Sequence, residues 1–143
     1  MWKFALTALW LIAMSIFDLL EKRVPVWLLV TGGIPAIVAA MYAYMKGMGS
    51  LSQILFGMLP GVLLLAVAAV TRKAGWADGI VLLIMGLLTD LWECMAYFMI
   101  SLLAMSIVSL LLLILRKVGK NATLPYIPFL CAGYFIRVVA WEM

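Results

Sequence analysis

The chain has 143 residues, 69% of them hydrophobic and 11% charged, with a formal net charge of +4. A soluble domain is nearer half apolar, so this composition excludes a water-soluble fold and points to a chain that crosses a bilayer repeatedly. There is no histidine, which excludes His-based triads, haem ligation by His and the usual zinc sites; acid-base chemistry falls to Asp, Glu, Lys, Tyr or Cys.

Taken in chain order, the first apolar run, Phe4 to Phe17 behind Lys3, reads at first like a secretory leader. No small-x-small cleavage site follows it, and Lys22 and Arg23 outnumber the one cation before it, so a first transmembrane helix is expected over about Trp2 to Leu20. The second span is expected from Pro25, a good first-turn residue, to Tyr44. "KGMGS" (Lys46 to Ser50) is a short turn. The third span runs from Leu51 to Val70, with Pro60 expected to kink it. The fourth covers Gly79 to Thr89 and the fifth Glu93 to Leu115. "RKVGKNATLP" (Arg116 to Pro125) is a loop, and the sixth span runs from Pro128 to Val139. The expectation is an all-α polytopic membrane protein of about six transmembrane helices, one integral-membrane domain over residues 1–143.

Lys and Arg set the orientation. Loops one, three and five carry Lys22, Arg23, Arg72, Lys73, Arg116, Lys117 and Lys120, against Lys3, Lys46 and Arg137 on the other side. That bias puts the odd loops in the cytoplasm and both termini outside.

The acids divide the same way. Asp18, Glu21 and Asp78 fall on the cytoplasmic side, and Asp90, Glu93 and Glu142 on the other. Asp18 lies four residues before Lys22, and Asp78 five residues after Lys73. If those basic residues mark the interface, each aspartate sits roughly 6–8 Å below it, at about 1.5 Å per helical residue. From Asp78 to Asp90 a helix spans only about 18 Å against roughly 30 Å of hydrocarbon, so the fourth span is short or the segment before it dips into the membrane. Gly75 and Gly79, within "AGWADG", are expected to allow irregular backbone there, tolerated at that depth only where protein or a wet cavity covers it.

Spacing leaves two readings open. Asp18 pairs with Lys22 at i,i+4, and Asp78 caps the fourth helix. Alternatively, the two aspartates share a proton and activate water, as close carboxylate pairs do. Asp90 and Glu93 read as a solvated turn, and Glu21 as solvated beside Lys22 and Arg23. Cys94 and Cys131 are far apart in apolar runs and read as packing residues. The eleven methionines read as lipid-facing or core filler; Met45 and Met48 lack a Cys or His to complete a soft-metal site. Trp2, Trp27, Tyr44 and Trp141 read as interfacial anchors. No metal site, cofactor or nucleic-acid partner is expected.

Three segments together resemble the type IV prepilin peptidase family of membrane aspartyl peptidases. "DLLEKRVPVWL" (Asp18 to Leu28) is similar to its first-aspartate motif, with Asp18 and Pro25 in register and Val26 in place of the usual Asn. "GWADG" is similar to its GxGD motif, with Gly75 and Asp78 in place, Ala77 where the second glycine stands, and Ile80 where a Lys is common. "LPYIPFLCAG" (Leu124 to Gly133) is similar to the Pro-rich start of the last helix, through Pro125, Pro128 and Phe129. The resemblance implies a catalytic pair, Asp18 and Asp78, supported by the Gly75–Ala77–Gly79 loop, with Pro25, Pro125 and Pro128 as structural motif residues. It implies no metal, a protease-only form without the family's CxxC-bearing domain, and a bacterial cytoplasmic membrane. The expected partner is a pilin-like precursor of type IV pilus or protein-secretion systems, besides the lipid bilayer. If the Ala77 position needs a positive φ, its Cβ brings strain of about 1 kcal/mol or more. The alternative expectation is a non-catalytic relative, or a small ion or proton transporter using the Asp18/Asp78 pair.

Overall fold

The computed structural model of the chain describes residues 2–72, 75–116 and 124–142. It is all-helical: α1 (Trp2–Glu21), α2 (Val26–Met45), α3 (Leu51–Thr71), α4 (Trp76–Leu88), α5 (Leu91–Ile114) and α6 (Ile127–Glu142). α1, α2, α3 and α5 are long and apolar enough to cross a membrane, and α4 and α6 are shorter apolar helices. The outward faces carry large apolar side chains, among them Leu9, Leu20, Val38, Leu63, Leu103 and Ile136. A soluble protein does not expose such a surface over whole helices, whereas lipid requires it. The chain is an all-α polytopic membrane protein.

The helix ends follow from local chemistry. Ser50 caps α3 with a reciprocal box: its hydroxyl accepts the Gln53 N–H at 3.3 Å, and Gln53 Oε1 accepts the Ser50 N–H at 3.0 Å. That pairing satisfies two of the amides a helix start leaves open. Ser50→Ala is expected to cost about 1 kcal/mol in unfolding experiments on detergent-solubilised protein. α1, α3 and α5 all end in a basic residue in the left-handed conformation: Lys22 (φ 51), Arg72 (φ 52) and Arg116 (φ 52). These are cations from the three loops of the charge count. Each lies at the negative end of its helix dipole, which favours a cation there.

Most boundaries lie within three residues of those expected. Pro25 stands just before α2 rather than in its first turn, with φ −67 and ψ 136. α3 runs continuously through the buried Pro60, which is part of the face turned toward protein. Residues 117–123 of the expected fifth loop, and Lys73 and Ala74 before α4, lie outside the described residues.

The chain forms two compact units. One comprises residues 24–95, the other residues 1–23 with 96–143. In the unit of residues 24–95, α4 is the core, packed on both α3 and α2. Its Val81, Leu82, Ile84 and Met85 are buried. The contact with α3 is made backbone to backbone. A Cβ on Gly61 would stand 2.5 Å from the Leu83 Cα, and a Cβ on Gly57 would fall on the Gly86 carbonyl. Without a hydrophobic driving force in lipid, such close approach is how dispersion holds helices together. In the other unit α1 packs on α6. Leu11, Met14, Leu130 and Tyr134 fill the core, and the Tyr134 hydroxyl donates to the Phe4 carbonyl at 3.2 Å. Tyr97 of α5 stacks at a tilt on Tyr134, ring centroids 5.3 Å apart.

Candidate active site

Thr7 and Asp18 fall on one side of α1, an otherwise largely apolar helix. The buried positions are Thr7, Leu11, Met14 and Asp18, spaced by four, three and four. That is one stripe of a helix. Asp18 therefore continues the core stripe and is only 7% exposed. A buried carboxylate needs partners, and Asp18 finds one on α6: its Oδ2 accepts the Ile127 N–H at 3.3 Å.

The start of α6 explains why that amide is on offer. The Tyr126 carbonyl accepts the N–H groups of Phe129 and Leu130, at 3.0 and 3.1 Å. Pro128 has no N–H, which costs nothing in a first turn. Ile127 is left with a donor that the helix itself cannot use. Asp18 takes it, at the positive end of the α6 dipole. The open alternative for Asp18, a surface pair with Lys22, is replaced by this contact, since the helix leaves right-handed geometry at Lys22. The first and third motif segments thus meet, through residues 109 positions apart. Pro125 and Pro128 frame the donor.

A second polar contact lies one residue away, and sequence reasoning missed it. Ser101 of α5 and Tyr126 are both buried, and their hydroxyl oxygens are 2.6 Å apart. The Ser101 hydroxyl also donates to the Phe98 carbonyl at 2.8 Å. A serine has one proton, so the Tyr126 O–H donates to Ser101, which donates to Phe98. The available signal was a serine inside an apolar helix, where lone polar groups find partners.

Asp78 occupies the third position of α4, behind the cap residue Gly75 (φ −71, ψ 128). This differs from the expectation of a helix beginning at Gly79 with Asp78 as its cap. Trp76 and Ala77 already belong to the helix, because Gly75 supplies the extended cap conformation. Asp78 is half-buried, and its carboxylate folds back over the helix start. A Cβ on Gly75 would stand 2.7 Å from Asp78 Oδ2. Any other residue at that position would have to turn the carboxylate away. An acid in a first turn also favours the positive helix end.

Two expectations about this segment need correction. Ala77 is helical and does not have a positive φ, so its Cβ brings no strain. Replacing Ala77 by Gly, the residue the resembled motif carries, is expected to lower stability by about 1 kcal/mol through helix propensity alone, read by unfolding in micelles. Gly79 is not a bend either. It is buried inside α4, where a Cβ would stand 2.7 Å from Leu65 Cγ and Cδ2. Its role is to seat α4 against α3 one residue after Asp78.

Val26 begins α2 and is exposed, and Ile80 is a half-buried α4 residue. Asp18 belongs to one compact unit and Asp78 to the other. Among the described residues no cluster of three or more His, Cys, Asp or Glu side chains could hold a metal ion. Comparison with protein-family models, with curated proteins and with solved structures finds no match to this chain.

Proposed function

We propose that the chain is a membrane aspartyl endopeptidase of the prepilin-peptidase kind, removing the leader of pilin-like precursors at the cytoplasmic face of a bacterial membrane. Asp18 and Asp78 are its two carboxylates. The observation that supports this reading best is the burial of Asp18 on the inward stripe of α1, with one oxygen held by the amide at the Pro-rich start of α6. A membrane-depth acid aimed at protein rather than lipid is functional by default.

The chemistry uses one shared proton. The ionised carboxylate takes a proton from water while the protonated one polarises the peptide carbonyl. The oxygen of that water bonds to the carbonyl carbon, the C–N bond breaks, and the leaving amine departs with a proton. The basic loops would meet the leader from the cytoplasm while the apolar helix of the precursor stays in the bilayer. An ion or proton path is less well supported, because α4 carries no polar side chain from Gly79 to Leu88.

The test is cleavage of a pilin-like precursor by the reconstituted full chain, beside Asp18→Ala and Asp78→Ala. Wild type cleaves and neither variant does. Failure of wild type to cleave, or cleavage by either variant at the wild-type rate, refutes the proposal.

A further inference from the structure

The Ser101–Tyr126 pair is a buried polar contact that the proposed cleavage chemistry does not itself use. It joins α5 to the residue immediately before the Asp18 donor. The Tyr126 side chain is tied to α5 through Ser101, and its carbonyl receives the first turn of α6. The next amide, that of Ile127, is the one Asp18 accepts. Relayed hydroxyls polarise one another in a low-dielectric interior, so the Tyr126–Ser101–Phe98 relay is stiffer than one isolated bond. All the groups involved lie within one compact unit.

We propose that Ser101 and Tyr126 are positioning residues: their hydrogen bond clamps the start of α6 so that the Ile127 amide stays aimed at the Asp18 carboxylate. This rests on the reading of Asp18 as half of the peptidase pair. The clamp itself is a property of the fold and is measurable without substrate.

The test uses the full chain in lipid vesicles, with Tyr126→Phe, Ser101→Ala, the double variant and Ser101→Thr. Two readouts need no activity. One is hydrogen exchange at the Ile127 amide. The other is the infrared band of the Asp18 carboxyl, identified by its loss in Asp18→Asn. Tyr126→Phe and Ser101→Ala each speed Ile127 exchange about tenfold, the loss of roughly one hydrogen bond, and shift the Asp18 band. The double variant does no more than either single, because both break one contact. Ser101→Thr, which keeps the hydroxyl, restores both signals. In the cleavage assay kcat falls with KM unchanged. Unaltered exchange and an unaltered Asp18 band in both Tyr126→Phe and Ser101→Ala overturn the clamp, whatever the enzyme does. If both signals move but wild type cleaves no precursor, the clamp stands and the peptidase reading fails.

Discussion

Asp18→Asn is expected to reduce cleavage by about a thousandfold while leaving the protein folded. The asparagine keeps the volume of the aspartate and a side-chain oxygen able to accept the Ile127 N–H that Asp18 accepts at 3.3 Å. It cannot take or give the proton that the proposed reaction moves. General acid-base groups contribute about 10²–10⁴ in rate, and a carboxylate pair that shares one proton loses its chemistry when either member is lost. Asp18→Ala should lose as much activity and, in addition, about 1–2 kcal/mol of stability, because the Ile127 amide is left buried without its acceptor. Cleavage rates and denaturant unfolding in micelles, measured on the same preparations, separate the two effects. An Asp18→Asn variant that unfolds as readily as Asp18→Ala would mean that charge on α1, and not the acceptor oxygen, holds α6.

The largest stability effect is expected at the α3–α4 contact. A Cβ on Gly86 would fall on the Gly57 carbonyl oxygen and stand 3.1 Å from the Met58 Cα. A Cβ on Gly57 would meet the Thr89 carbonyl at 2.9 Å as well as that of Gly86. These are backbone atoms, so no rotamer change relieves the overlap and the helices must separate. Overpacking typically costs 1–3 kcal/mol, and Gly86→Ala is expected at about 3 kcal/mol because the clash is with main chain on a core helix. Leu63→Ala on the exposed face of α3 is the control, with a change of well under 1 kcal/mol in micelles. Because α4 carries Asp78, Gly86→Ala should also slow cleavage. Unfolding of Gly86→Ala at the wild-type denaturant midpoint would show that the helices do not pack this closely.

The sequence carried the helices well, because the apolar runs and the proline before the second span are local signals that tertiary packing did not override. Three of the loop cations, Lys22, Arg72 and Arg116, prove to be left-handed helix ends. The start of α4 was harder to read. Two glycines around Trp76–Ala77–Asp78 suggested a bend, yet one glycine is the helix cap and the other a packing contact. Glycine signals both uses, and only the neighbouring helix decides between them. The Asp18 partner was illegible for a different reason. It is a backbone amide on α6, and main-chain donors have no residue type to recognise. The buried stripe of Thr7, Leu11, Met14 and Asp18 was present at helical spacing, and its two polar residues, Thr7 and Asp18, mark it in a helix whose lipid face is apolar. Ser101 and Tyr126 escaped notice because neither hydroxyl suggests the other across the intervening chain.

The most direct test of the account is a double-mutant cycle on the two aspartates. Single-turnover cleavage of a pilin-like precursor by reconstituted wild type, Asp18→Asn, Asp78→Asn and the double variant would show whether they act as one unit. If one shared proton serves both carboxylates, each single variant is as inactive as the double. Losses that multiply, or a single variant that cleaves at the wild-type rate, would contradict it.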